Sequence, residues 1–267
     1  LLFSSGLVPL DVVLLQVSPP DDKGYCTLGP SVAAEPSAIR AAKLVIAQIN
    51  KYLPRTFGES QIHLSQLDYC VPYDTPILTE YNGVIDDVEN QIGQYIAEMI
   101  EDGSTLQMGI GSIPDAVLQK LKNHKHLGLH TEMFADGVID LIETGAMDCS
   151  LQTATNHKAI STFCVGSERI YNYIDNNRFF EFKECSVTND AFLIRQNPKM
   201  VAINSAIEID LTGQICADSI GYNLYSGVGG QVDFMRGATM SKGGKAIIAM
   251  SSTTKKGANK IVPFLQE

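Results

Sequence analysis

Between residues 105 and 145 the apolar positions change period twice. Leu106 to Ile110 form a short apolar run, a glycine-rich turn follows, and Ile113, Val117, Leu118 and Leu121 then recur at helical spacing. This pattern predicts strand, loop and helix. A second unit follows, in which Leu127-Gly-Leu129 reads as a buried strand, Asp136 as an N-cap, Val138, Ile139, Leu141 and Ile142 as one helix face, and Gly145 as the stop. Glu132 falls between that strand and that helix. Ligands of open α/β sheets bind beyond the carboxyl ends of the strands. The Gly109-Ile-Gly111 turn and Glu132 are both expected on that rim, which makes a backbone-lined cradle and a carboxylate the candidate site. By itself the turn, with Pro114 in the first helical turn, also fits a plain strand-to-helix connection.

The same reading extends in both directions. Asp11 to Val17 is a near-continuous apolar run, as in a strand buried on both faces of a parallel sheet. A turn at Pro19 to Gly24 leads to Tyr25–Leu28, Ser31 is placed to cap a helix carrying Ala33, Ala34, Ile39, Ala41 and Ala42, and Leu44 to Ile49 reads as a second buried strand. Residues 62–78 show no period, so a lobe boundary is expected near residue 80. A helix starting at Asn82 or Gly83 should face Val84, Val88, Ile92, Ile96, Met99 and Ile100 inward and end at Gly103. After Gly145 come strands at Ser161–Val165, Phe179–Lys183 and Met200–Asn204, a short helix at Glu168–Ile174, and a turn or helix opened by Thr188 or Asn189. Thr212-Gly213 marks a hairpin between Ile207–Leu211 and Gln214–Ala217, and a glycine-rich segment, Ser226–Phe234, precedes a buried strand at Lys245–Met250. The elements predict an α/β fold of two open lobes: residues 1–80, incomplete, and residues 81–267 with the candidate site.

Composition narrows the function. The chain has 267 residues, 45% of them hydrophobic, enough for a sizeable core. No apolar run reaches the roughly 18 residues of a membrane span, since Pro9 and Asp11 break the best one. A formal charge of −10 argues against nucleic-acid binding and leaves any anionic ligand to local donors. The six cysteines are scattered without a CxxC pair, which favours free buried thiols in a reducing compartment, the cytoplasm or a mitochondrion or related organelle. The five histidines lack metal-ligand spacing, so no metal is expected. Leu1 without an initiator Met, and an end that follows an apolar run, read as the interior of a longer polypeptide.

Four ordered stretches, GIGSIPDAVL (109–118), HTEMFADGVIDL (130–141), VAINSAIEIDLTGQ (201–214) and YSGVGGQVDFMRGA (225–238), together resemble the acetyl-CoA hydrolase/transferase family, in particular its 4-hydroxybutyrate and butyrate CoA-transferase branch. VSPPDDKGYCTLG (17–29) and PRTFG (54–58) are similar to the family's first lobe. The resemblance implies two similar α/β lobes of CoA-transferase type with the active site between them, and a glutamate that becomes covalently attached to CoA. Position by position, Glu132 matches the nucleophile and Asn189 an oxyanion-holding asparagine, although Ser186-Val-Thr-Asn-Asp190 departs from the commoner Ser-Asn-x-Pro-Glu form. Gly229 and Gly230, with Gly227 beside them, match the glycine loop that supplies a backbone donor. Gly109, Ile110, Gly111, Ile113 and Pro114 match the loop lining the CoA channel. The resemblance also implies a homo-oligomer, a dimer, with no permanent cofactor and coenzyme A arriving as the acyl-CoA substrate.

A glutamate suits the implied reaction. With an ordinary pKa of about 4.3 such a side chain is ionised near neutrality and needs no general base. It can attack a thioester, form a mixed anhydride and then a glutamyl-CoA thioester, each step passing through an oxyanion. Three functions remain open: transfer of CoA from acetyl-CoA or another short acyl-CoA to 4-hydroxybutyrate, butyrate or succinate; hydrolysis of acetyl-CoA on the same scaffold; and non-catalytic ligand binding.

Overall fold

The structure, a computed structural model, describes residues 2–80, 83–109 and 111–265. In the first segment, alternation sets the strands. β1 (Leu10–Val17) turns Leu15 and Val17 into the core and leaves Val12 and Leu14 exposed. That is a strand with one covered face, where its apolar run suggested two. β2 (Tyr25–Thr27) pairs antiparallel with β4 (Gln61–His63). The intervening α1 (Glu35–Ala41) has Ala34 at its N-cap, not Ser31, whose backbone is drawn instead into a bridge with Phe163. β3 (Ala42–Ile49) lies between β1 and β5 (Tyr69–Pro72) in a three-stranded parallel sheet. All four residues of β5 are exposed, so it carries no apolar period by which to be recognised.

The second segment starts with α2 (Asp87–Met99), closed by a reciprocal cap in which Asp86 and Glu89 each accept from the other's backbone N–H. A helix starting at this cap leaves Val84 outside it and Val88 and Met99 exposed, while Ile96 and Ile100 are buried. Asn82 lies outside the described residues. There follow β6 (Thr105–Met108), α3 (Ser112–Lys120), β7 (Gly128–Phe134), α4 (Gly137–Glu143), β8 (Ala159–Cys164), α5 (Glu168–Ile174), β9 (Phe180–Phe182), α6 (Cys185–Thr188), α7 (Ala191–Ile194) and β10 (Met200–Asn204). Asp136 does not cap α4 with its side chain; its carboxylate accepts from the backbone N–H and hydroxyl of Ser167, ahead of α5. Asp190, not Thr188 or Asn189, caps α7. The Gly213 turn joins β11 (Glu208–Asp210) to β12 (Ile215–Cys216), and β13 (Ser219–Ile220) pairs with β14 (Asn223–Leu224). Last come α8 (Gln231–Met240), which the sequence pattern did not reveal, β15 (Lys245–Ile248) and β16 (Ile261–Val262).

Six parallel strands stand in the order β15-β10-β6-β7-β8-β9. The chain enters at β6 and builds outward first through β7, β8 and β9, then on the other side through β10 and β15. The strand order therefore reverses between β6 and β10, and the crevice beyond their carboxyl ends is where this fold class receives ligands. β15 is a half-exposed edge rather than a buried strand. At the opposite edge, β9 is covered by residues 57–59 of the first segment: Phe182 exchanges backbone hydrogen bonds with Phe57 and Glu59. Gly58 in this seam has φ +94, and a Cβ there would collide with the Phe182 backbone, so only glycine allows the approach. One cluster of buried apolar side chains runs from Leu15 to Ala249 through both segments.

Asp115, in the first turn of α3, is buried with Oδ2 lacking any hydrogen-bond partner among the described residues. Burial, and secondarily the nearby Asp136 carboxylate, push its pKa from an ordinary 3.8 up to about 6. A carboxyl raised in the folded state destabilises as it ionises: the native chain holds the proton more tightly than the unfolded one, so stability falls between about pH 4 and 6 and stays lower above. With about 1.4 kcal/mol per tenfold in proton affinity, the loss at neutral pH is on the order of 3 kcal/mol. Asp115→Asn should therefore raise the melting temperature at pH 7 to 8, and the gain should shrink towards pH 4; a gain independent of pH in thermal melts would contradict it.

Candidate active site

Glu132 sits within β7, three positions past the last residue that pairs with β6, and not in the loop that follows. The strand continues because His130, Thr131, Met133 and Phe134 stay in register with β8. Beyond Leu129 the gap to β6 is closed by the Thr131 hydroxyl, which accepts from Met108 N–H and shares its proton between Met108 O and Met133 O. The Glu132 side chain, half-buried, thus projects near the carboxyl ends of the central strands beside the reversal of strand order.

Three distant parts of the chain meet there. Asn189 Nδ2 donates to Glu132 Oε2 at 2.7 Å. Gly230 is the N-cap of α8, and a Cβ placed on it would strike both Glu132 Oε2 and Asn189 Nδ2. A Cβ on Gly229 would stand 3.8 Å from Glu132 Oε1, an ordinary contact. The glycine loop and the start of α8 therefore lie directly against the carboxylate, where backbone N–H groups and the positive end of a helix favour negative charge. A cavity of about 370 Å³ opens at this point, lined by Gln107, Gly109, Glu132, Asn204, the Gly227–Gly230 loop and an apolar wall including Ile215, Val232 and Phe234. That size suits a small ligand.

Among the described residues none of the first segment lines this cavity; that segment bridges β8 and β9 instead, Ser31 to Phe163 and Gly58 to Phe182. Of the six positions expected to meet CoA, Gly109 and Gly227 line the cavity. Ile110 lies outside the described residues. Gly111, Ile113 and Pro114 do not line it; the Ser112 hydroxyl bonds Glu89 on α2, which turns the first turn of α3 away, and Ile113 packs on the core.

Sequence reasoning missed the cavity floor. Gln107 and Asn204, at the ends of β6 and β10, exchange hydrogen bonds of 3.2 and 2.9 Å through their amides. Their signal was a polar residue in each of two apolar strands. Of the support behind Asn189 the sequence offers only His130, as a packing or hydrogen-bonding neighbour of the site rather than a base, and not its partners. His130, buried, receives a hydrogen bond on Nδ1 from Asn197 Nδ2 at 2.9 Å and donates from Nε2 to Thr188 O at 2.8 Å. Burial pushes its pKa down to about 4, so it is a neutral strut and no general base near neutrality. Burial likewise pushes the Cys149 thiol up to about 12 and the Cys164 thiol higher still, which leaves both poor nucleophiles. Among the described residues no cluster of His, Cys, Asp or Glu could hold a metal, and no helix is long and apolar enough to cross a membrane.

The N-terminal domain of the acetyl-CoA hydrolase/transferase family matches residues 2–79, and its C-terminal domain matches residues 166–267. The chain belongs to this family. Asn189, Gly227, Gly229 and Gly230 lie within the second match, and Glu132 lies between the two. The chain is 48% identical over 265 residues to a 4-hydroxybutyrate coenzyme A transferase of Clostridium kluyveri, covering 99% of this chain and 62% of that protein. It is also 48% identical over 269 residues to a succinyl-CoA:acetate/propanoyl-CoA:succinate CoA transferase of Fasciola hepatica, covering 100% of this chain and 56% of that one. The crystal structure of a 4-hydroxybutyrate CoA-transferase from Porphyromonas gingivalis superposes with a TM-score of 0.91 at 42% identity, over 99% of this chain and 65% of that one. The chain thus spans less than two thirds of the length of these relatives.

Proposed function

We propose that the protein transfers CoA from a short acyl-CoA, acetyl-CoA foremost, to a small carboxylate such as 4-hydroxybutyrate, butyrate or succinate, through a thioester on Glu132. The observation that carries this reading is a carboxylate held by one amide donor, Asn189, under a glycine loop, in a chain of this family. A carboxylate Oε of Glu132 attacks the thioester carbonyl; the tetrahedral oxyanion collapses, CoA thiolate leaves and a mixed anhydride forms. The thiolate then attacks the Glu132 carbonyl and expels the donor's carboxylate, leaving glutamyl-CoA. The acceptor carboxylate attacks that thioester, CoA thiolate departs again and attacks the acceptor's carbonyl, and the Glu132 carboxylate is restored.

Each collapse needs donors where the oxyanion develops. The bond from Asn189 Nδ2 to Glu132 Oε2 supports Asn189 as one donor, with the backbone N–H groups at Gly229 and Gly230 as the natural second source; one such donor is worth about a hundredfold or more in rate. Phe234, buried at the cavity wall, offers an apolar surface beside Glu132, and shielding of the anhydride from water is what separates transfer from hydrolysis. Incubating the whole protein with acetyl-CoA and each carboxylate, and following the acyl-CoA species by mass, tests this. New acyl-CoA matching the acetyl-CoA consumed is expected. Acceptor-independent release of free CoA would make it a hydrolase, and binding without turnover a ligand-binding module.

A further inference from the structure

We propose that Thr188 and Thr162 are positioning residues that fix which end of the Asn189 amide faces Glu132. This rests on the proposed role of Glu132 as nucleophile. An asparagine amide has two ends of similar shape and opposite polarity, and a carboxylate only accepts hydrogen bonds. The useful orientation, Nδ2 toward Glu132, therefore holds only if something donates to Oδ1. Thr188 does so: its hydroxyl reaches Asn189 Oδ1 at 2.9 Å. Having spent its one proton there, Thr188 Oγ1 can only accept from its other close partner, the hydroxyl of Thr162. The direction of the whole relay follows, Thr162 to Thr188 to Asn189 to Glu132.

Two features make the relay more than an incidental chain. Thr162 is 1% exposed and Thr188 fully buried, so water has no ready access to replace either donor. The backbone that carries Thr188 is also held, because its carbonyl accepts from His130 Nε2 on β7, one residue from Thr131 and two from Glu132. Thr162 lies on β8 between the residues registered with Thr131 and Met133, opposite Glu132 itself. Nucleophile, strut and relay are thereby referenced to the same two neighbouring strands, and the oxyanion donor is set by sheet geometry although Asn189 stands on a short connection after α6.

The test compares Thr188→Val and Thr188→Ser in the whole protein, with Thr162→Val, Asn189→Ala and Glu132→Gln in parallel, each variant checked for folding by thermal melt. Valine keeps the shape and removes the donor; serine keeps the donor. Expected are a kcat for Thr188→Val lower by about 10- to 100-fold with KM changed by less than about threefold, the scale of one misdirected oxyanion donor, and recovery to within about threefold of wild type in Thr188→Ser. Thr162→Val should lose roughly three- to tenfold, since the Thr188 hydroxyl is then free to turn away, and it carries the test if Thr188→Val does not fold. A wild-type kcat in a folded Thr188→Val or Thr162→Val, beside an impaired Asn189→Ala, would overturn the relay and leave the proposed function standing. Full transfer by Glu132→Gln would overturn the proposed function instead.

Discussion

Glu132→Gln should lower CoA transfer by at least about a thousandfold while leaving the fold intact. The change is nearly isosteric at a half-buried position, and a glutamine oxygen can still accept from Asn189 Nδ2. What disappears is the anionic oxygen: an amide oxygen is a poor nucleophile and cannot form the anhydride. Glu132→Asp separates charge from reach. It keeps the carboxylate but withdraws it by one methylene from Asn189 Nδ2, 2.7 Å away in the wild type, and from the start of α8. A misplacement of about 1 Å is enough for a loss on the order of a hundredfold, so aspartate should fall between wild type and glutamine. Steady-state rates for the three proteins, with melting curves to confirm folding, check the order. Equal rates for glutamate and glutamine would remove the nucleophile from the account.

Gly230→Ala should be nearly as damaging, for a reason of space rather than backbone conformation. Gly230 has φ −80, a value open to any residue, so alanine brings no dihedral strain. Its Cβ, however, would occupy the space between Glu132 Oε2 and Asn189 Nδ2. Those two atoms are held from behind, Asn189 by Thr188 and Glu132 by its strand, so the loop and the first turn of α8 must give way. A shift of that kind moves both donors and should cost kcat about a hundredfold, with about 1–3 kcal/mol of stability lost to overpacking. Gly229→Ala is the internal control: its Cβ would meet Glu132 Oε1 at an ordinary 3.8 Å, and kcat should stay within a few fold of wild type. Comparable losses in the two variants would mean that the loop acts through flexibility and not through close approach.

How far the chain could be read from its letters depended on where polar groups are buried. β10 and α5 fall at the residues expected, because Met200–Asn204 is apolar between polar flanks and Ser167 accepts from Arg169 N–H at the start of a periodic face. β7 was read short. Its apolar run stops at His130 and Thr131, and nothing in their neighbours shows that Thr188 O, Asn197 and Met108 satisfy them in the interior. α8 was missed because Gln231–Met240 has few aliphatic residues and a glycine, Gly237, that fits tightly against Ile194. β1 looked two-faced because Val12 and Leu14 are apolar yet exposed in this chain. The rim position of Glu132 followed from the strand-loop-helix pattern. Its meeting with Asn189 and Gly230, 57 and 98 positions away, came from the family motifs, since local periodicity carries no information about which loops converge.

CoA should become bound to Glu132 during turnover. Whole protein mixed with acetyl-CoA in the absence of acceptor, then measured by intact mass and peptide mapping, tests it most directly. Expected is a CoA adduct on the peptide containing Glu132, sensitive to hydroxylamine or borohydride and absent from Glu132→Gln. An adduct on a cysteine such as Cys149 or Cys164, or turnover with no adduct on Glu132 under any donor concentration, would contradict it.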